Sequence, residues 1–398
     1  MNDRSQQLAP HYSAFRVAQR LLLSGHSHQA WPDVALAGQI EAFHDAAEAV
    51  DAKWSRAFAR AELVRDGFRR FLGDPGADLA LAASTHELVL RFLSTLDLRG
   101  RPRLVTSAGE FHTVRRQLAR LAEEGLEVLV LPAEPAGTLA ARLARAVDDH
   151  TAAVLVSAVL FETARIVPGL GELAAACQRH GTELLVDAYH ALGVVPFTMA
   201  GLEPAWVTGG GYKYLQLGEG NCFLRVPEHA GAARPVLTGW FAEFGGVTAP
   251  TGTVGAVGAV GYPRGAAAFA GATYDPTSHY RAARVFDFFA GQGLTAEVLR
   301  AVSRHQVGLL AERFDAIDAP DHVITRDRDL RPEETGGFLA LRTPHARRLT
   351  AALAASGVHT DSRGQFLRLG PAPYLSDRQL VSAMEHLAAA VAALNEPS

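Results

Sequence analysis

Three residues of chemical interest lie close together in the chain. VDAYHALG carries Asp187 and His190, and GGGYKY carries Lys213, 26 positions after Asp187 (213 − 187). Asp187 closes the apolar run ELLVD, and a carboxylate ending such a strand is costly to bury without a cation. A cationic ring nitrogen is one such partner, because an opposite charge keeps it protonated. A lysine beside a glycine turn and a desolvated pocket can lose its proton near neutral pH and act as a Schiff-base nucleophile. A strand-end aspartate, then a further strand, then Gly-Lys is the order expected of an enzyme that uses pyridoxal 5'-phosphate. In that order Lys213 carries the cofactor and Asp187 holds its ring nitrogen.

These residues need a scaffold of strand ends. Helix-like and strand-like segments alternate from about residue 56. FARAELVRDGFRRFLG reads as a helix that stops at Gly73. STHELVLRFLSTL opens with Ser84 and Thr85 as capping candidates, with Glu87 placed as in a capping box. RLVTSA, LEVLVLP, TAAVLVSAV and TELLVDA read as strands, separated by the helical patterns HTVRRQLARLAEEG, LAARLARAVDD and LGELAAACQRHG. AWVTGGG and NCFLRVPE continue the sheet. Apolar, β-branched strands between helices predict an α/β fold with a mostly parallel sheet covered on both faces. Ligands of such sheets bind at the carboxyl ends of the strands, where Ser107, Ser157 and Asp187 fall.

The Gly-, Ala- and Val-rich stretch from Gly245 to Gly271 has no period and reads as an irregular surface loop. Beyond Tyr280 the pattern changes to long helices, short strands at HVITR, GGFLALR, HTDSR and QFLRLG, the helix HARRLTAALAASG and a final helix. This predicts a smaller α+β domain over 281–398. The large domain spans 56–280, and residues 1–55 contribute to the small domain and the site entrance.

The whole-chain properties exclude several classes of function. The chain has 398 residues, 48% hydrophobic and 20% charged, with a net charge of −4 and a pI near 6.5. There is no basic stripe for nucleic acid, no uninterrupted apolar span for a membrane and no signal-peptide core in MNDRSQQLAPHYSAFR. The expectation is a soluble, cytoplasmic protein. Cys177 and Cys222 form no CxxC pair, and no Cys/His cluster has metal spacing. His26 and His28, in SGHSH, would share a face if extended, but lack a third ligand.

DAYHALG, GGGYKYLQLGEGNCFLRVPE and PVLTGWFAEF together resemble kynureninase, within the class V aminotransferase group of fold-type I pyridoxal phosphate enzymes. The likeness is strongest from about residue 84 to 244. It implies that Lys213 carries the cofactor, that Asp187 binds the pyridine nitrogen with His190 beside it, and that Tyr212 and Trp240 lie at the phosphate. AAST resembles the phosphate-cup turn, with Ser84 and Thr85 at a helix N-terminus that favours a dianion. GEFHT resembles the segment whose aromatic stacks on the ring, making Phe111 the candidate and His112 its rival. VSAV places Ser157 near the cofactor. QFLRLGPAPYL resembles the late segment whose arginine, here Arg368, holds the substrate α-carboxylate as a bidentate partner. SGHSHQAWP resembles the stretch that enters the site, offering Ser24, His26 or His28 to substrate.

The chain departs from kynureninase in two places. The Ser-Asn-Pro run that reads substrate is replaced by GATYDPTSHYRAA, which resembles isopenicillin N epimerase-like members. In that group a loop threonine, here Thr273 or Thr277, reaches a neighbouring subunit's phosphate. In the Phe-Pro-Ser-Asp run the aspartate position holds Val114. The resemblance implies a homodimer with its site at the interface, acting on an amino acid. The leading expectation is hydrolytic Cβ–Cγ cleavage of kynurenine or a related γ-oxo amino acid to an acid and alanine. The alternatives are an epimerase, lyase or aminotransferase of specialised metabolism and a cofactor-free binding protein of the same fold. A cysteine desulfurase needs a late reactive cysteine, and none follows Cys222.

Overall fold

The computed structural model describes residues 2–246 and 260–395. In chain order the elements begin with α1 (Asn2–Leu8), β1 (Leu21–Leu22), α2 (Val34–Ala49) and α3 (Trp54–Leu72). The large sheet and its helices follow as β2 (Asp78–Ala82), α4 (Thr85–Leu93), β3 (Arg103–Ser107), α5 (His112–Glu123), β4 (Glu127–Leu131), α6 (Leu139–Ala146), β5 (Thr151–Ser157), α7 (Leu170–Arg179), β6 (Glu183–Asp187), β7 (Trp206–Gly210) and β8 (Cys222–Val226). The remainder comprises α8 (Thr277–Gly291), α9 (Ala296–Asp315), β9 (Leu339–Arg342), α10 (Ala346–Ala355), β10 (Val358–His359), β11 (Asp361–Arg363), β12 (Phe366–Leu369) and α11 (Asp377–Asn395).

Seven strands form one sheet in the order β2-β8-β7-β6-β5-β3-β4. β7, β6, β5, β3 and β4 run parallel, and β8 is antiparallel to both of its neighbours. The α/β architecture and the mostly parallel sheet agree with the sequence reading. β5 is buried at every position, as a central strand covered on both faces must be. Apolar side chains fill both faces: Phe68, Val154, Val186 and Phe286 on one, Phe92, Leu155, Leu185 and Trp206 on the other. A small antiparallel sheet, β11-β12-β9, carries the C-terminal part. β1 pairs in parallel with β10, so the N-terminal segment joins that part.

Local signals explain several boundaries. Ser84 caps α4 by accepting from the Glu87 N–H, and α3 stops at Gly73, whose φ of 63° is left-handed. Two expectations need correction. HVITR is no strand: Thr325 makes only an isolated bridge to Arg342, exchanging both backbone hydrogen bonds with that one residue. Of the expected surface loop 245–271, residues 247–259 lie outside the described residues. The turn Gly265–Phe269 buries Ala266, Ala268 and Phe269 in the core, where Phe269 meets Trp206 edge-on.

Candidate active site

The parallel order puts three strand ends side by side. Ser107 ends β3, Ser157 ends β5 and Asp187 ends β6, and Ser157 lies opposite Asp187 in the ladder. One Asp187 oxygen accepts the Tyr189 N–H at 2.8 Å. Asp187 lies deep but keeps a strip of open surface, so its carboxylate can still meet a ligand. Burial raises its pKa, while the Tyr189 N–H and the Lys213 charge oppose the rise.

Lys213 follows the glycines that end β7. A side chain on Gly210 would collide with the Tyr189 hydroxyl and Cys222 Sγ, and one on Gly211 with Leu217. The backbone therefore turns tightly and sends Lys213 inward, where it is 6% exposed. Its Nζ lies 2.6 Å from His190 Nε2 and 4.6 Å from the Tyr189 ring centroid. The rings of Phe111 and Tyr212 stand at 5.5 and 5.8 Å. Burial brings its pKa down to about 7, against the pull of Asp187. His190 is held well below its ordinary value by burial and then by Lys213. With Lys213 as donor to Nε2, the His190 proton sits on Nδ1, and that buried atom has no hydrogen-bond partner. The structure thus brings Asp187, His190 and Lys213 into one site.

Phe111 points its ring towards Lys213, whereas His112 is exposed, which favours Phe111 as the stacking aromatic. Tyr212 stacks on His28 at 4.7 Å and 19°. His28 is 60% exposed at its side chain, whereas His26 is fully buried; the turn between them separates the two rings, contrary to the shared face of an extended segment. Arg368 is 3% exposed and already engaged. Asp361, its cross-strand partner on β11, accepts from its Nε at 2.9 Å and its second nitrogen at 2.5 Å. The Phe161 carbonyl accepts from the third. His26 Nε2 completes the cluster, 2.7 Å from Asp361. Burial works to raise the Asp361 pKa, but His26 and Arg368 hold it well below the carboxylate range.

Ser84 and Thr85 lie at the N-terminus of α4. A cavity of 1050 Å³ borders this turn and is lined by Ala83, Glu87, Phe241, Thr273 and Thr277. Trp240 packs on Phe241 at 4.4 Å and donates to Thr273 Oγ1 at 3.2 Å. Thr277 donates both its N–H and its hydroxyl to Asp275, at 2.9 and 2.6 Å. Thr273 and Thr277 thus line this cavity within a single chain, and Trp240 meets its wall through Phe241 and Thr273. A second cavity, of 1270 Å³, has Gly109, Leu160 and Phe338 in its wall, and Phe338 faces His26 at 4.6 Å and His190 at 6.1 Å.

Sequence reasoning missed Asp361 and Glu110. Glu110, next to Phe111 in sequence, is buried, with Ser107 and Ser157 donating to it. The strand-end signal that singled out Asp187 does not mark Glu110, which lies in the turn beyond the end of β3 at Ser107. A further signal was the rarity of lysine: the chain has only two, Lys53 and Lys213.

The geometry suits pyridoxal phosphate. The unpartnered His190 Nδ1, the open strip on Asp187, the buried amine and the capped helix N-terminus match its ring oxygen, ring nitrogen, aldehyde and phosphate.

Residues 299–387 match the kynureninase C-terminal domain. The chain is 27% identical to the kynureninase of Deinococcus radiodurans, covering 82% of this chain and 77% of that one. It is 23% identical to the uncharacterized aminotransferase YcbU of Bacillus subtilis, over 88% and 89% of the two chains. In structure it resembles the cystine C-S lyase C-DES, with a TM-score of 0.80, 17% identity and coverage of 95% and 99%. The cysteine desulfurase of Thermococcus onnurineus NA1 superposes at 0.79, with 15% identity and 98% of each chain covered. The chain is thus similar, at a distance, to kynureninases and to YcbU, and it shares the fold-type I architecture of the two solved structures.

Proposed function

We propose that this chain is a pyridoxal phosphate-dependent enzyme acting on an amino acid. The chemistry we favour is kynureninase-like: water and a γ-oxo amino acid yield a carboxylic acid and alanine by Cβ–Cγ cleavage. The observation that carries the reading is the buried Lys213 amine, in contact with His190 and under the influence of the Asp187 charge at the carboxyl edge of the sheet. The cofactor supplies an aldehyde that condenses with amines and a ring that takes up the electrons released at the substrate α-carbon.

The chain's own residues do the rest. Lys213, with a pKa near 7, is suited to take and return the α-carbon proton around neutral pH. Asp187 keeps the ring nitrogen protonated. His190 offers its Nδ1 proton to the ring oxygen, and Phe111 covers one ring face. Ser84 and Thr85 hold the phosphate with the N–H groups of α4, joined by Tyr212, Trp240 and Thr277, the last of which lines the adjoining cavity in the same chain. Ser157 acts behind the ring through Glu110. Arg368 binds the α-carboxylate in exchange for part of its Asp361 contact, and His28 lies on the entry side. We read residues 1–55, 56–280 and 281–398 as entrance segment, large domain and small domain.

A second reading, an aminotransferase, lyase or epimerase, is favoured by the Asp275-Pro276-Thr277 loop and by the likeness to YcbU. Cofactor-loaded protein mixed with L-kynurenine and 3-hydroxykynurenine tests the choice. Equal amounts of alanine and aromatic acid, followed by mass spectrometry, support the hydrolase. A changed visible spectrum without either product discards that substrate. Lys213→Ala is expected to lower turnover by about 10²–10⁴-fold or more, and an undiminished rate would remove Lys213 from the chemistry.

A further inference from the structure

The loop after β3 turns a carboxylate into the protein. Glu110 is 1% exposed, and both of its oxygens are occupied. Ser107 Oγ donates to Oε1 at 2.5 Å, and Ser157 Oγ donates to Oε2 at 2.6 Å. Ser107 also accepts the Gly109 N–H at 3.1 Å, which closes the turn. Since the two serines end β3 and β5, Glu110 bridges the carboxyl edges of neighbouring strands. Asp187 stands opposite Ser157 in the ladder, so a second carboxylate, partly open, lies one strand away. Serines alone could satisfy these strand ends, whereas a buried acid needs a compensating role to offset its desolvation. The residue after Glu110 is Phe111, whose ring faces Lys213.

We propose that Glu110 is a positioning residue for the cofactor ring: its serine bridge holds Phe111 over the ring face and sets a second negative group behind Asp187. The inference rests on the pyridoxal phosphate reading above. Negative potential behind Asp187 favours the protonated ring nitrogen. The polar groups facing Glu110 are Ser107 from β3, Ser157 from β5 and Asp187 from β6; Lys213, from the turn after β7, acts on Asp187. Burial raises Glu110 to about 7, the serines oppose this, and Asp187 adds to it. The bridge therefore gains its charge in the same pH range in which Lys213 loses its own.

The test uses the full chain with pyridoxal phosphate. Its readouts are the cofactor dissociation constant, the pH midpoint of the visible absorbance band and the unfolding temperature of the cofactor-free form. Glu110→Gln keeps the size and can still span both serines, but carries no charge. Loss of a nearby negative charge should lower the pH midpoint, by about half a unit or more, with the unfolding temperature unchanged or raised, because the buried charge costs desolvation. Glu110→Ala removes the bridge, and losing hydrogen bonds to a charged group should weaken cofactor binding roughly tenfold or more. A Gln variant with the wild-type midpoint and affinity overturns the proposal, as does one that only lowers the unfolding temperature. A wild-type chain that takes up no cofactor overturns the cofactor reading and this inference with it. Uptake by the wild type with unchanged variants removes Glu110 alone.

Discussion

Lys213 is one of two lysines in a chain with 38 basic residues. Its distinction is its surroundings: three aromatic rings and a neutral histidine take the place of water around its amine. Desolvation disfavours the charged form, so the amine loses its proton near pH 7 instead of the ordinary lysine value of about 10.4. Asp187 opposes that shift, and its removal should lower the value further. Cofactor-free protein labelled with ¹³C at the lysine ε-carbons gives two resonances, one from Lys53. The Lys213 resonance is expected to titrate near pH 7, with the neutral form growing as pH rises. Asp187→Asn should move its midpoint down, and a midpoint near 10 would contradict the buried site. Asp187, His190 and Lys213 were legible because their order along the chain carries the chemistry. Glu110 and Asp361 were not: each acts through a partner far away in sequence, Ser157 and His26, and no spacing encodes such a contact.

Elements with one clear period were legible, and those with two demands on them were not. β5 and β6 are apolar runs, and α4 announces itself through Ser84 and Glu87. β2 was missed because DLALA is an edge strand of small side chains with little β-branched signal. α2 was missed because Asp33 makes no side-chain cap and because apolar residues occupy two faces. On one face Ala35, Gly38 and Ala42 are buried. A Cβ on Gly38 would stand 2.6 Å from the Tyr280 carbonyl oxygen and 2.8 Å from the Arg281 Cα, so α2 and the backbone of α8 touch there. Helix propensity alone predicts that Gly38→Ala stabilises by up to about 1 kcal/mol. Backbone cannot yield as a side-chain tip can, so overpacking should prevail and cost about 1–3 kcal/mol. Thermal unfolding decides the sign: a lower transition temperature supports the close helix contact, and a higher one refutes it.

The other face of α2 concerns the whole molecule. Leu36, Ile40 and Phe43 fall at spacings of four and three, one stripe of a helix, and are 60%, 49% and 71% exposed. Val50 just beyond is 69% exposed. A helix already packed on α8 has no further need of an apolar stripe, and a contiguous apolar patch marks a surface that another protein covers. The occupant we favour is a second copy, because the resemblance implies a homodimer with its site at the interface. Thr273 and Thr277 line the phosphate-cup cavity already within one chain. Light scattering is expected to give twice the 42.4 kDa chain mass. Ile40→Glu with Phe43→Glu places two like charges in the stripe and should shift the protein to monomers. If the partner completes the phosphate site, those monomers should also bind pyridoxal phosphate at least about tenfold more weakly, although neither residue is near Lys213 in sequence. A monomeric wild type rejects the dimer. Variant monomers that keep full cofactor affinity retain the dimer but place the phosphate contacts within a single chain.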